Sequence, residues 1–222
     1  MLVYLFHHLS DFILICIEGD NVKDHSERNK KIIVNTNLPI IFVIDTSGGM
    51  HGRRLTILNR CLEDTINSIR RLTASDLNFS TQIGILQVNT GVQWVHSDGL
   101  EYIEDYHFTP LTNGGLRDVG AALDELDQKL SKEYLGKLQT VTRSPIIIFV
   151  TCGPITDNWY DPLQHLKKNE WYQKSLRIAF TMGGKANAVV FSDIVGNTGM
   201  IVENDDPEDF AESFKKVVLN CF

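Results

Sequence analysis

Asp45-Thr46-Ser47 follows a run of apolar residues, so a carboxylate and a hydroxyl stand where a strand ends and the chain turns. Two kinds of catalysis could use them. Ser47 could be a nucleophile on a strand-to-helix elbow, but that turn needs G-x-S-x-G, and Asp45 takes the place of the first glycine. Asp45 could accept a phosphoryl group, but the second carboxylate of an Asp-x-Asp pair is missing. Cys152 is the sharper catalytic candidate, because it lies between a strand and Gly153. A thiolate there would need a base or a positive site beside it. A phosphatase-type loop would carry Arg at 158, and that residue is Asn158. A buried structural cysteine is the favoured reading. Gly183-Gly184-Lys185 follows a strand, but Ala186 comes next and the glycine spacing of a phosphate loop is not met. The histidines are scattered; only His7 and His8 adjoin.

The elements that must hold these residues follow from periodicity. Residues 39–44 and 145–150 are continuous apolar, β-branched runs, as in strands buried on both faces. Leu55, Leu58, Leu62, Ile66, Ile69 and Leu72 mark one face of a helix. Residues 81–88 and 92–95 read as a hairpin around Asn89-Thr90-Gly91, and residues 100–112 as a long acidic and aromatic connection. Val119, Leu123, Leu126 and Leu130 mark a second helix after the Gly114-Gly115 turn. Asp161-Pro162 predicts a helix start, with Asp161 as cap and Pro162 in the first helical position. Residues 176–180 and 200–202 read as strands and 186–195 as a helix. Asp206-Pro207-Glu208-Asp209 opens a last helix with Phe210, Phe214, Val217 and Val218 on its apolar face.

Strands alternating with helices predict an α/β fold. We expect a three-layer, Rossmann-like, doubly wound and mainly parallel sheet, with one antiparallel edge strand and helices on both faces. In such sheets the loops after the strand C-termini carry the site. Here those are residues 45–52, 112–118 and 151–157.

Composition narrows the class of function. The chain has 222 residues, 43% of them hydrophobic and 22% charged, which excludes a disordered, collagenous or coiled-coil chain. Its net charge of −7 argues against a nucleic-acid partner, which would call for a basic stripe. Neither apolar piece of residues 1–17 approaches the ~20 residues of a membrane helix, so no membrane partner is expected. No Lys or Arg precedes Lys23, so the positive start of a signal peptide is missing. Cys16, Cys61, Cys152 and Cys221 form no C-x-x-C clip, and a reducing, cytoplasmic location is expected. Residues 1–17 would be extra strands or a short helix on the core, or would mark a start placed too far upstream. Residues 21–31 read as a linker.

Several segments together carry a family likeness. They are Ile-Ile-Phe-Val-Ile-Asp45-Thr-Ser47-Gly-Gly-Met50, Leu111-Thr-Asn-Gly114-Gly115, Val119-Gly120-Ala-Ala-Leu123 and Ile-Phe-Val150-Thr151, with Gly153 and Thr156-Asp157 after it. The sequence resembles a von Willebrand factor type A (vWA) domain, and within that family the bacterial tellurite-resistance, TerY-like branch. The likeness covers residues 37–222 and leaves 1–36 as an N-terminal extension.

The resemblance implies Mg²⁺ or Mn²⁺ at the sheet's C-terminal edge, held by an Asp-x-Ser-x-Ser motif, a Thr after the Gly-Gly turn and an Asp after the fourth strand. A small hard cation wants about six oxygens, some from water. Asp45 and Ser47 remain as residual ligands. Gly49 stands for the second Ser, Leu116 for the Thr and Cys152 for the second Asp, and a thiol suits Mg²⁺ poorly. The resemblance thus implies a degenerate metal site, no resident cofactor and a non-catalytic module. Its protein partner would meet a rim of Gly49, Arg53, Leu116, Arg117 and Cys152, in a bacterial stress-response or tellurite-resistance-like system. The rival readings are a Mg²⁺-dependent, adhesion-type binder and a hydrolase using Cys152. Without an ion, Asp45 needs another cation, since a buried unpaired carboxylate is costly. Arg117 and Arg53 are the candidates, with His51 and Arg54 near them. Asp118 is a possible replacement ligand, but a carboxylate facing the helix dipole is the favoured reading. Trp159-Tyr160, just beyond the third loop, could anchor a partner.

Overall fold

The structure is a computed structural model that describes residues 36–75, 79–97, 99–131, 141–183 and 188–222. The expectations for residues 1–31 lie outside the described residues. The strands are β1 (Thr36–Asp45), β2 (Phe79–Asn89), β3 (Gly91–Trp94), β4 (Glu101–Tyr102), β5 (Val141–Thr142), β6 (Ile146–Thr151), β7 (Leu176–Met182) and β8 (Met200–Asn204). The described α-helices are α1 (Arg53–Thr73), α2 (Val119–Lys129), α3 (Tyr160–Leu166), α4 (Glu170–Lys174), α5 (Ala188–Val195) and α6 (Pro207–Leu219).

The sheet runs β3-β2-β1-β6-β7-β8. The pairs β2–β1, β1–β6, β6–β7 and β7–β8 are parallel, and β3 lies antiparallel on β2 at the edge. The fold is therefore the doubly wound α/β sheet expected. Its centre follows from β1, whose neighbouring side chains point to opposite faces. Ile40, Phe42 and Ile44 enter one core with Leu58, Ile66, Phe210 and Phe214, beneath α1 and α6. Ile41 and Val43 enter the other with Val119, Leu123, Leu163 and Phe191, beneath α2, α3 and α5. A strand covered on both sides has no polar face, hence the unbroken apolar run.

Three local expectations are corrected. The connection over residues 100–112 contains β4, which pairs antiparallel with β2 at Gln82 and Ile83. Helix α3 begins at Tyr160, so Asp161 and Pro162 lie inside its first turn. Asn158 does the terminal work instead: its Oδ1 accepts from the Tyr160 N–H and its Nδ2 donates to Asp161. Strand β8 runs on to Asn204. The last helix starts as its sequence says, with the Asp206 carboxylate accepting from the Glu208 N–H and Pro207 first in line.

The chain leaves β1 towards β2 on one side, and β6 lies on the other. The strand order thus reverses between β1 and β6, and in doubly wound sheets that is where a site forms, above the strand ends. Asp45 and Thr151 are the last residues of those two strands.

Candidate functional site

Asp45 is 2% exposed at the tip of β1, and its carboxylate is held by the loops above the sheet and by Thr151 at the end of β6. Its Oδ1 accepts from the Ser47 N–H at 2.9 Å. Its Oδ2 accepts from the Cys152 N–H at 3.0 Å, the Thr151 hydroxyl at 3.2 Å and Arg117 Nε at 2.5 Å. A carboxylate has about four lone-pair directions, two on each oxygen, so Oδ2 is fully taken and Oδ1 is engaged once.

Arg117 brings the opposite charge from the loop before α2. Its side chain is buried against Asp45, and each nitrogen is engaged. Nη1 donates to the Pro154 carbonyl at 2.5 Å, and Nη2 to Ser47 Oγ at 2.8 Å and Cys152 Sγ at 3.3 Å. The backbone is pinned as well. The Arg117 N–H donates to Thr156 Oγ1 at 2.8 Å, and the Thr156 N–H donates to the Arg117 carbonyl at 3.1 Å. The guanidinium is thus a cation held at both ends.

Glycines make the room. A Cβ on Gly49 would fall 3.0 Å from Arg117 Nη2 and 2.9 Å from Cys152 Sγ. A Cβ on Gly153 would fall 2.8 Å from Nη1. The first two loops are also sewn together by the Gly114 N–H on the Thr46 carbonyl and the Gly48 N–H on the Gly115 carbonyl.

The residues singled out in the sequence therefore separate. Asp45, Ser47, Gly49, Arg117 and Cys152 converge. Leu116 does not: its side chain is 56% exposed and only its neighbour turns inward. Arg53 does not reach Asp45 and pairs with Glu208 on the surface. His51 lies against the Gly48 carbonyl and Arg54 against that of Gly49. Asp118 neither enters the centre nor caps its helix; its carboxylate accepts from the Gly91 N–H and the Thr156 hydroxyl. Asp157 serves the helix start by accepting from the Ala121 N–H. Thr151, Gly153, Pro154 and Thr156 belong to the site and were not singled out. Gly153 and Thr156 carried a signal, as small residues inside the third loop's motif. The Pro154 carbonyl carried none, because backbone acceptors leave no trace in side-chain spacing.

Burial pushes the Cys152 thiol up to about 11, aided by the negative charge of Asp45 and opposed by Arg117. At neutral pH the sulfur is a protonated, weak acceptor. Tyr160, at the start of α3, is 58% exposed, and Trp159 packs partly on the core.

No family model matches the sequence, and no curated protein does. Solved structures match the architecture. A von Willebrand factor type A protein from Catenulispora acidiphila superposes with a TM-score of 0.61 at 16% identity, over 82% of this chain and 42% of the other. The ArnB paralog VWA2 from Sulfolobus acidocaldarius gives a TM-score of 0.61 at 12% identity, over 82% and 45%. The SpRpn10 VWA domain gives a TM-score of 0.55 at 14% identity, over 79% of this chain and 94% of that domain. The chain has the vWA fold. It spans less than half the length of the first two of these proteins. Identities this low speak for the vWA architecture alone. Among the described residues of this vWA fold, no helix is long and apolar enough to cross a membrane.

Proposed function

We propose that the chain is a non-catalytic protein-interaction module of the vWA type, which meets its partner with the rim above the C-terminal ends of the strands. The observation that carries this reading is the engagement of the site's carboxylate by its own loops and by Arg117. Its one carboxylate, Asp45, already accepts from Ser47, Thr151, Cys152 and Arg117, so it is no free base. The Asp-Thr-Ser-Gly-Gly-Met segment and the closing Asp-Pro-Glu-Asp-Phe helix favour a place in a bacterial stress-response or tellurite-resistance-like system. The free thiols of Cys61, Cys152 and Cys221 favour a reducing, cytoplasmic setting.

The two rivals have less support. A Mg²⁺-dependent binder needs several hard oxygens, and the donors around Asp45 are one engaged carboxylate, the engaged hydroxyls of Ser47 and Thr151 and a soft thiol. That set does not fit the ion. A Cys152 hydrolase needs a thiolate, and this thiol is pushed up to about 11.

The test is capture of partner proteins by the full chain and by a Leu116→Asp, Tyr160→Ala variant, with Leu72→Ala at the far end of α1 as control. Partners lost by the rim variant and kept by the control are expected. Identical capture by all three would refute a rim-docking module.

A further inference from the structure

The fold leads one to expect a divalent ion in front of Asp45, and the donor set does not suit one. A charge is nonetheless present. We infer that Arg117 is a tethered stand-in for the ion, and that Gly49, Cys152, Gly153 and Arg117 form one unit which closes this place to divalent cations and to a partner's carboxylate. The inference deepens the interaction-module reading by fixing how its rim works, without an ion bridge.

The substitutions agree with one another physically. The two residual ligands implied by the family resemblance, Asp45 and Ser47, both face the guanidinium. The missing hydroxyl at Gly49 is a loss for an ion and a necessity for Arg117, since any side chain there would meet Nη2. Gly153 meets the same demand from the other side, at Nη1. Cys152 offers a neutral, polarisable sulfur to Nη2, so the site holds one negative and one positive group and is balanced. A divalent ion beside a single carboxylate would leave an excess positive charge. An ion can also exchange and share its coordination sphere with a visitor. A guanidinium on the chain cannot leave, and Arg117 is only 6% exposed. An arriving carboxylate therefore finds no open coordination position.

The direct test is Mn²⁺ binding by the full chain, followed by paramagnetic resonance and by thermal melting in millimolar Mn²⁺ or Mg²⁺. Wild type is expected to bind no Mn²⁺ and to melt unchanged, because an ion bound to the native state would raise the melting temperature by mass action. Cys152→Asp alone, which keeps the guanidinium, is expected to behave like wild type. Arg117→Ser combined with Cys152→Asp is expected to bind about one Mn²⁺ per chain and to melt higher when it is added, as two carboxylates and two hydroxyls then face the space. One equivalent of Mn²⁺ on wild type or on Cys152→Asp, lost with Asp45→Asn, would overturn the inference. So would a double variant with a native circular dichroism spectrum and no Mn²⁺. If the double variant does not fold, the first two proteins still decide. None of these readouts involves a partner: Mn²⁺ on wild type would leave the interaction module standing, and failed rim capture would leave the ion result standing.

Discussion

Among the described residues two arginines are buried, and they are neutralised by different means. Arg117, at the C-terminal edge of the sheet, faces the Asp45 carboxylate. Arg177, near the start of β7, is held by neutral groups. It donates to the carbonyls of Tyr172, Ser175 and Val195 and to the hydroxyls of Ser175 and Thr198, and it lies over the Tyr172 ring at 4.7 Å. Those carbonyls sit where α4 and α5 end, and helix C-termini carry partial negative charge. A cation can therefore be buried without a carboxylate if enough aligned carbonyls surround it. At Arg177 the cation ties two helix ends together. At Arg117 the cation answers an anion that could not otherwise stay buried.

The contrast is sharpest where one partner is removed. Arg117→Met should cost about 3–5 kcal/mol, because Asp45 is left charged and buried. Urea unfolding measures it, and a loss below about 1 kcal/mol would mean that the pair does not govern the site. Adding Asp45→Asn should recover part of the loss, and the double-mutant cycle gives the coupling. Arg177→Met should cost less, about 3 kcal/mol at most, since it strands neutral carbonyls. Equal losses at the two sites would erase the distinction drawn here.

Gly49→Ser should cost about 2 kcal/mol by crowding the guanidinium. Combined with Arg117→Ala and Cys152→Ala, which clear both contacts, the same serine should cost almost nothing, and an undiminished cost would show that the glycine serves some other purpose. The thiols give a pH-dependent effect. Burial raises Cys152 from 9.0 to about 11, and Cys61 and Cys221 likewise. The native state thus holds these protons more tightly than the unfolded chain does. Their contribution is intact below about pH 9 and is lost as pH rises from there through about 11. Denaturant midpoints should fall over that window, and Cys152→Ser should flatten the fall. Arg53→Ala should change stability by less than about 0.5 kcal/mol, because its pair with Glu208 is solvated.

How far the sequence could be read differs between fold and site for a physical reason. The strands β1 and β6 are legible because burial on two faces forces unbroken apolar runs. The amphipathic faces of α1 and α6 are legible because one side of each helix meets the sheet. The start of α3 misled because Asp161-Pro162 has the chemistry of a helix start, and Asn158, two residues ahead of Tyr160, took that role. At the site, Leu116 drew attention by its place after the Gly-Gly turn, but its side chain turns outward and Arg117 turns inward. One residue of phase in a loop carries no periodic signal.

The sequence by itself determined the alternation of strands and helices, the two-sided core and the meeting of three loops above the sheet, because hydrophobic periodicity and turn chemistry are local properties. It also limited the cations within reach of Asp45 to a few candidates. Only the tertiary structure chose Arg117 over Arg53 and placed the Pro154 carbonyl and Thr156 around it. Only there do the missing side chains at 49 and 153 become the space that a guanidinium fills. Such a choice depends on distances between residues up to 107 positions apart, as from Asp45 to Cys152, and chain folding alone sets those distances.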